Sequence, residues 1–237
     1  MNIVVLVKQV PAISDIEIAK DNNLVRVGAP SMLNPVDKHA IEAAVAVKDA
    51  IGGTVTILTM GNALAGEMMR DGIAIGADKG VLVSDERMAG SDTLATGLVL
   101  AKAIEKLGGA DLVFTGKRST DGDTGQIPPA IAQRLGMALI SYANSVSVDG
   151  TTVTATRLNH DGIETVQAQL PAVVSVTEKQ HAAFSEDPRQ DGCQESRLRC
   201  LESGRPGPRC SKCREIWFGD ESHGTLRTGT ESGRRHD

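Results

Sequence analysis

One loop of this chain combines the residue types that bind phosphate groups. Residues 115–136 read TGKRSTDGDTGQIPPAIAQRLG, where small, hydroxyl and acidic residues precede an apolar run with helical spacing. Glycines let a ligand approach the backbone closely, and hydroxyl groups can donate hydrogen bonds to it. The amides of residues 124–127 stand at the start of the predicted helix, where an anion is favoured. The loop is therefore a candidate phosphate-binding site.

The two aspartates of this loop need a separate explanation, because a carboxylate repels a phosphate. We expect Asp121 and Asp123 to accept hydrogen bonds from loop amides, which leaves other amides directed at a ligand. The alternative is that they only cap the following helix and that no ligand binds, since Asp and Gly clusters are common at helix starts. Taken by itself, the loop favours neither interpretation. Pro128 and Pro129 suit the first turn of the helix in both.

Strand and helix signals alternate on the N-terminal side of this loop and through it. The predicted strands are 3–7, 54–60, 80–84 and 111–115, and the predicted helices are 36–53, 63–76, 92–109 and one within 115–136. Asn34 and Pro35 supply an N-cap and a first-turn proline for the first helix. This order predicts an α/β fold with a doubly wound, mostly parallel Rossmann-like sheet and helices on both faces.

Two other segments carry antiparallel signals. Residues 16–27 alternate around Asp21-Asn22-Asn23 and predict a hairpin outside the main sheet. After Leu139, the pairs Asp149-Gly150 and Asp161-Gly162 punctuate strand-like runs that continue to residue 176. Asp-Gly pairs are typical of tight hairpin turns. These runs predict antiparallel strands at an edge of the sheet.

Ligands of open α/β sheets bind beyond the carboxyl ends of the strands. Four segments compete for that place: residues 7–11, 33–37, 59–63 and 115–126. The first strand is followed by no GxGxxG motif, and the sequence contains no P-loop motif, Ser-His-Asp set or HExxH pair that stands out, so no catalytic residue is assigned. His39 and His160 are expected to be solvent-exposed. The cysteines have irregular spacing, and no metal site is assigned from them.

Composition limits the class of protein. The chain has 237 residues, 41% hydrophobic and 23% charged, with a formal net charge of −5. This charge argues against nucleic acid as a partner. No apolar run is long enough to insert in a membrane, and the N-terminus lacks the features of a signal peptide, so we expect a cytoplasmic protein.

Five stretches resemble the beta subunit of electron transfer flavoproteins, a group that includes the FixA proteins. They are VLVKQVP at 5–11, LNPVDKHAIEAAVAVKD at 33–49, GADKGVLVSD at 76–85, the 115–136 stretch quoted above and LPAVVSVTE at 170–178. The resemblance covers residues 1–179 in the family's order. It implies an adenine-nucleotide-binding domain, of the fold type shared with universal-stress proteins and ATP pyrophosphatases, that pairs with an alpha subunit carrying the main FAD.

The resemblance also implies which residues contact the nucleotide. They lie at two strand ends, one helix start and the long loop: Leu6, Asn34, Pro35, Val36, Asp37, Met60, Gly116, Lys117, Arg118, Ser119, Thr120, Asp121, Gly122, Asp123, Thr124, Gly125 and Gln126. Leu6 and Met60 differ in type from better-known members, so contacts there are expected from backbone or packing.

Two cofactors are open for this subunit. In simple dimeric carriers of the family it holds a structural AMP, and in electron-bifurcating members it holds a second FAD that accepts hydride from NADH. The short DGDTGQ form of the loop favours FAD. The implied role is an electron carrier rather than a stand-alone enzyme, with acyl-CoA-type or other dehydrogenases as partners. A stand-alone nucleotide-binding module of the universal-stress type is the alternative; an ATP pyrophosphatase is disfavoured, because VKQVP stands where its SGGxDS-like loop would follow strand one.

The last part of the chain differs from the rest. All four cysteines lie after Phe184, and residues 185–237 contain no Val or Ala. Back-translation of residues 180–196, read from the second base of each codon, can give NTPRFPKIRGKMAAKKA, which resembles the family's C-terminal arm, and residues 200–207 can likewise give VWNPADLG. We therefore expect a nucleotide-binding domain over residues 1–179 and an aberrant, frameshifted tail over residues 180–237. The alternative is a genuine variable tail.

Overall fold

The computed structural model describes residues 1–12, 31–178, 213–218 and 226–228. The strands are β1 (Asn2–Leu6), β2 (Gln9–Pro11), β3 (Ser31–Leu33), β4 (Thr54–Met60), β5 (Lys79–Ser84), β6 (Leu112–Gly116), β7 (Ala138–Asp149), β8 (Thr152–Asn159), β9 (Gly162–Gln169), β10 (Ala172–Val176), β11 (Cys213–Phe218) and β12 (Leu226–Thr228). The helices are α1 (Pro35–Ile51), α2 (Ala65–Ile75), α3 (Thr93–Lys106) and α4 (Ile127–Leu135), with a 3-10 turn at Glu86–Met88.

Ten strands form the main sheet in the order β12-β11-β5-β4-β1-β6-β10-β7-β8-β9. The pairs from β5 to β10 in this order are parallel. Ile3 and Val5 of β1 pack in the cluster that contains α1 and α2, whereas Val4 and Leu6 pack in the cluster that contains α3 and α4. Alternate side chains of a strand point to opposite faces, so both faces are covered by helices. The predicted doubly wound α/β sheet is confirmed.

The helices agree with their sequence signals to within a few residues. α1 begins at Pro35 and is followed by Gly52, whose φ of 79° suits a residue without a Cβ. Asp92 caps α3, since its side chain accepts a hydrogen bond from the Ala95 amide at 2.7 Å. Gly136 ends α4 in the left-handed conformation.

The strands after Leu139 were predicted as antiparallel, and this is correct for three of them. β7, β8 and β9 form an antiparallel meander at one edge. The prediction is wrong for β10, which lies between β6 and β7 and is parallel to both. Its five residues are all buried. A continuous apolar run is typical of a strand covered on both faces, and AVVSV has that pattern.

Some predicted features lie partly or wholly outside the described residues. The hairpin predicted at 16–27 lies outside the described residues. The strands on either side of it, β2 and β3, are described and pair antiparallel. In the tail, β11 pairs in parallel with β5 and β12 pairs with β11. Cys193, Cys200 and Cys210 are outside the described part. The boundary at residue 179 and the frameshift therefore stay predictions.

Candidate functional site

The strand order reverses between β1 and β6. The chain leaves β1 for β4 on one side, and it reaches β6 on the other side only after β5 and α3. A crevice at such a point, beyond the carboxyl ends of the strands, is the usual ligand site of this architecture. A cavity of about 1120 Å³ lies there, with Leu6, Val7 and Lys8 from the end of β1 and Thr115 and Gly116 from the end of β6 in its wall.

All four segments that competed as ligand sites contribute to this one cavity. The predicted site residues that line it are Leu6, Asn34, Asp37, Met60, Gly116, Arg118, Ser119, Gly122, Thr124, Gly125 and Gln126. The others, Pro35, Val36, Lys117, Thr120, Asp121 and Asp123, do not line it. Val36 is buried at the start of α1. The four segments are therefore not alternative sites, because the fold brings them together around one cavity.

A fifth segment of the wall was missed. Residues 84–86 and 88–93, between the end of β5 and the start of α3, line the cavity, as do Thr96 and Leu100 of α3. The signal for it was present, because β5 is a buried apolar strand whose carboxyl end faces the same edge as those of β1 and β4. Applying the strand-end rule to every predicted strand would have selected this segment.

Asn34 was predicted to cap α1, and this is wrong for its side chain. The residue occupies the position before Pro35, yet its side chain makes no capping hydrogen bond. Instead, Nδ2 donates to the carbonyl oxygen of Arg118 at 3.1 Å, and Oδ1 accepts from the amide of Thr120 at 3.3 Å. An amide side chain has both a donor and an acceptor, which this bridge uses. Asn34 therefore ties the start of α1 to the long loop.

Asp37 is a buried acidic residue that lines the cavity. Its side chain accepts a hydrogen bond from the Lys8 amide at 2.8 Å. Burial raises the pKa of Asp37 to about 7, although hydrogen bonds from the Lys8 amide, the Asn34 side chain and the Gly116 amide oppose the rise. A Cβ on Gly116 would overlap Asp37 Oδ1. The carboxyl thus joins the ends of β1 and β6, and the close approach requires glycine at residue 116.

The two loop aspartates behave differently from each other. Asp121 accepts a hydrogen bond from the Gly122 amide at 2.7 Å, as predicted, and also one from Lys8 Nζ at 2.7 Å. Burial raises the pKa of the Asp121 carboxyl, but hydrogen bonds from Lys8 and Ser119 and the charge of Lys8 outweigh it, so the pKa lies below its usual value. Asp123 was predicted to bind a loop amide, and it instead pairs with the Arg118 guanidinium, with Nε 3.0 Å from Oδ1.

Neither aspartate caps α4, because Gln126 holds the N-cap position without a side-chain capping bond. The capping part of that alternative is therefore wrong. Pro128 and Pro129 have no amide hydrogen, so the backbone donors at the start of α4 are limited to the amides before them. Donors for an anion are also carried by Thr124 and Arg118, which line the cavity.

Each cation of this region has a carboxylate partner. Lys8 pairs with Asp121, Arg118 with Asp123, and Lys117 with Glu178, with a separation of 3.3 Å in the last pair. The Asp121 side chain is only 1% exposed, whereas that of Lys8 is 41% exposed. These pairs hold the cations in fixed positions around the loop and limit the positive charge near the cavity. The two loop aspartates, Asp121 and Asp123, thus organise the loop and do not line the cavity.

The two histidines of interest lie outside the cavity wall. His160 is 88% exposed at a hairpin tip, as predicted. His39 was expected to be exposed and is not, because its side chain is 18% exposed and packs beside Glu42, with Nδ1 3.6 Å from Oε2. Burial raises the pKa of Glu42 to about 6.

Within the described part of the chain, no three His, Cys, Asp or Glu side chains cluster in a way that could hold a metal ion. No helix of that part is long and apolar enough to cross a membrane.

Comparisons with known proteins point to one family. A family model described as electron transfer flavoprotein domain matches residues 21–195. Protein FixA of Azorhizobium caulinodans is 44% identical over 186 residues, which cover 75% of this chain and 66% of the relative. The electron transfer flavoprotein subunit beta of Megasphaera elsdenii is 42% identical over 183 residues, covering 74% and 68%.

A third relative is named for a larger assembly. It is the caffeyl-CoA reductase-Etf complex subunit CarD of Acetobacterium woodii, 41% identical over 177 residues, which cover 74% of this chain and 68% of the relative. The chain therefore spans about two thirds of the length of the curated relatives it matches.

Proposed function

The chain belongs to the electron transfer flavoprotein family, and on this premise we propose that it is the beta subunit of a two-subunit electron carrier. The observation that carries the proposal is the cavity at the reversal of strand order, whose wall includes seven residues of the loop 116–126. This is the place where α/β sheets of this kind bind nucleotides. A stand-alone module of the universal-stress type is not favoured by the relatives' names.

The ligand that we propose for the cavity is an adenine nucleotide, and FAD in preference to AMP. A volume of about 1120 Å³ lies just above the range of about 300–1,000 Å³ that small-molecule pockets occupy, and leaves room for a dinucleotide. The short DGDTGQ form of the loop supports the same choice. When bound, the flavin would supply the electron-accepting ring.

The residues present fit a nucleotide. Thr124 and Arg118 offer hydroxyl and guanidinium donors to phosphate oxygens on the loop side of the cavity. On the other side, Leu6, Met60 and Leu100 provide apolar surface of the kind that packs against a flat ring. The chain thus binds and orients the nucleotide, and no residue is given a proton-transfer role.

The proposed partners follow from the family and are an alpha subunit and one or more dehydrogenases, acyl-CoA-type among them. The relative named as a subunit of a caffeyl-CoA reductase-Etf complex shows that a family member with this domain is assigned to such an assembly. We propose a cytoplasmic location. NADH-dependent electron bifurcation is proposed only if this subunit binds FAD, and not if it binds AMP.

The test is to co-express the full chain with a neighbouring alpha-subunit gene, purify the complex, denature it and count FAD and AMP. We expect a yellow complex with two FAD per heterodimer. One FAD and one AMP per heterodimer would contradict the proposal of a second flavin and would leave the proposal of an electron-carrier subunit intact. A colourless chain that binds ATP and no alpha subunit would contradict the carrier itself.

A matched pair of variants locates the nucleotide of this subunit. Arg118→Gln removes a guanidinium from the cavity wall, whereas Arg70→Gln removes one from an exposed position of α2 that does not line the cavity. We expect the first variant to lose this subunit's nucleotide during gel filtration and the second to retain it. Equal retention by both would show that the nucleotide lies elsewhere.

A further inference from the structure

Thr115, at the end of β6, has a hydroxyl group that the fold itself does not use. The residue is 4% exposed, and among the described residues its Oγ1 has no hydrogen-bond partner. Such groups are rare in native proteins, because leaving a buried hydroxyl unsatisfied is costly. Thr115 also lines the cavity. A ligand in the cavity can therefore supply the missing partner.

The neighbours of Thr115 in the sheet do not fill this need. It stands beside Leu6 of β1 on one side and beside Ser175 of β10 on the other. Leu6 has an apolar side chain, and the Ser175 hydroxyl, which accepts a hydrogen bond from the Tyr142 amide at 3.0 Å, makes none with Thr115. Thr115 is thus the buried hydroxyl that remains available at the point where the strand order reverses.

The surroundings of Thr115 indicate which part of a nucleotide it would meet. Residue 113, two positions earlier on the same strand, belongs to the hydrophobic cluster of Leu6 and Leu100, against which Met60 and Ile127 pack. These four residues line the cavity together with Thr115. Alternate residues of a strand share a face, so the hydroxyl lies on the side of this apolar wall. An apolar wall suits a nucleoside, whereas a phosphate needs cationic or amide donors.

We propose that the Thr115 hydroxyl makes a hydrogen bond to the nucleoside half of the bound nucleotide, at its base edge or ribose. The inference rests on the proposed function of the cavity and names a residue outside the set implied for the family. Thr115 is in this view a specificity-determining residue: it favours ligands that present a polar atom at that point over apolar rings of the same shape.

The chain contains a matched control. Thr59 of β4 is 0% exposed, and within the described residues its Oγ1 likewise has no hydrogen-bond partner. It does not line the cavity. A Thr→Val change removes the hydroxyl and keeps the branched shape, so both positions can be tested by the same substitution.

The experiment is calorimetric titration of the full chain with AMP and, separately, with adenosine. We expect Thr115→Val to weaken the binding of both ligands by about tenfold. Thr115→Ser, which keeps a hydroxyl, should bind like the unchanged chain, and so should Thr59→Val. Urea unfolding without ligand should show that neither Val variant is less stable than the unchanged chain, because each loses an unsatisfied group.

Several results would overturn the inference. Equal affinity of Thr115→Val and the unchanged chain would do so while leaving the proposed function intact, and so would a loss seen with AMP alone, which would place the contact at the phosphate. If Thr115→Val fails to fold, Thr115→Ala replaces it, and normal affinity of that variant has the same meaning. Failure of the unchanged chain to bind AMP, adenosine or FAD, with or without the alpha subunit, would remove the proposed function and this inference with it.

Discussion

The backbone amide of Lys8 donates a hydrogen bond of 2.8 Å to Asp37, a residue 29 positions later in the chain. This bond joins the carboxyl end of β1 to the first turn of α1. Gly116, at the end of β6, approaches the same carboxyl so closely that a Cβ would overlap it. One buried side chain therefore fixes the relative positions of three of the segments that form the cavity.

The pKa of Asp37 makes stability depend on pH. Burial raises this pKa from 3.8 to about 7, so between these values the folded state keeps a proton that the unfolded state has released. Stability must then fall as pH rises through this range. From pH 5 to pH 8 we expect a loss of about 3 kcal/mol in the free energy of unfolding. Asp37→Asn should remove this loss, as measured by urea unfolding at both pH values.

The control for Asp37 uses the other buried carboxylate of the site. Hydrogen bonds and the charge of Lys8 keep the pKa of Asp121 below 3.8, so Asp121→Asn changes stability without changing its slope between pH 5 and pH 8. Glu42, whose pKa burial raises to about 6, adds a smaller loss of the same sign, and a Glu42→Gln background removes it. An unchanged slope in Asp37→Asn on that background would contradict the assignment.

Two glycines of the loop should respond very differently to the same substitution. A Cβ on Gly116 would overlap the Asp37 carboxylate and lie 3.2 Å from the Asp37 amide nitrogen. We expect Gly116→Ala to cost about 1–3 kcal/mol in the free energy of unfolding. On Gly122 the nearest atom would be Ser119 Oγ at 3.5 Å, an ordinary contact. Gly122→Ala should cost less than about 0.5 kcal/mol. Equal costs in urea unfolding would show that the approach at residue 116 is not tight.

Much of this fold follows from local patterns. Continuous apolar runs such as IVVLV and the glycines after α1 and α4 predict strands and helix ends because burial and backbone conformation are set by nearby residues. The prediction for β10 was wrong because the sequence of a strand does not determine which strands it pairs with. Tertiary packing determines this pairing.

The site was predictable only in part, for a related reason. The strand-end rule named the right edge of the sheet, but Asn34 has a local use as a helix cap and a distant use as a bridge to the loop. Its sequence context shows only the first. The pairing of Asp123 with Arg118, five residues apart, likewise depends on the course of a loop that residue types do not fix.

The Lys8–Asp121 pair should show a clear energetic coupling. Lys8→Gln leaves a carboxylate side chain that is 1% exposed without its ammonium partner, which we expect to cost about 1–2 kcal/mol at pH 7. The exposure of Lys8 keeps the value modest. The double variant Lys8→Gln/Asp121→Asn should lose less free energy of unfolding than the two single variants lose together, as measured in a double-mutant cycle. Simple additivity would show that the two charges do not interact.

Asn34 allows a test that separates its two possible roles. Serine is a good N-cap but cannot span from α1 to both Arg118 and Thr120 as the amide of Asn34 does. We therefore expect Asn34→Ser and Asn34→Ala to weaken AMP binding to a similar extent, because both release the loop. If the residue acted as a helix cap, Asn34→Ser would behave like the unchanged chain. Calorimetric titration with AMP measures the difference.

The frameshift hypothesis for residues 180–237 predicts a specific result at the level of the gene. Sequencing should show that codons 180–196, read from their second base, encode an arm resembling NTPRFPKIRGKMAAKKA. Such an arm is what the family resemblance expects to reach the alpha subunit. Codons that give an unrelated sequence in that frame would end the hypothesis and leave a genuine variable tail.

The same hypothesis predicts how the tail affects assembly. Deleting the first base of codon 180 should restore the arm and increase the amount of alpha subunit that co-purifies with this chain through gel filtration. The control is a synonymous recoding of the same stretch, which changes the bases and leaves the protein unchanged. Because the cavity is built from residues 6–128, the AMP affinity of the isolated chain should be the same in both. Equal recovery of the alpha subunit would show that the present tail serves assembly as well as the restored arm.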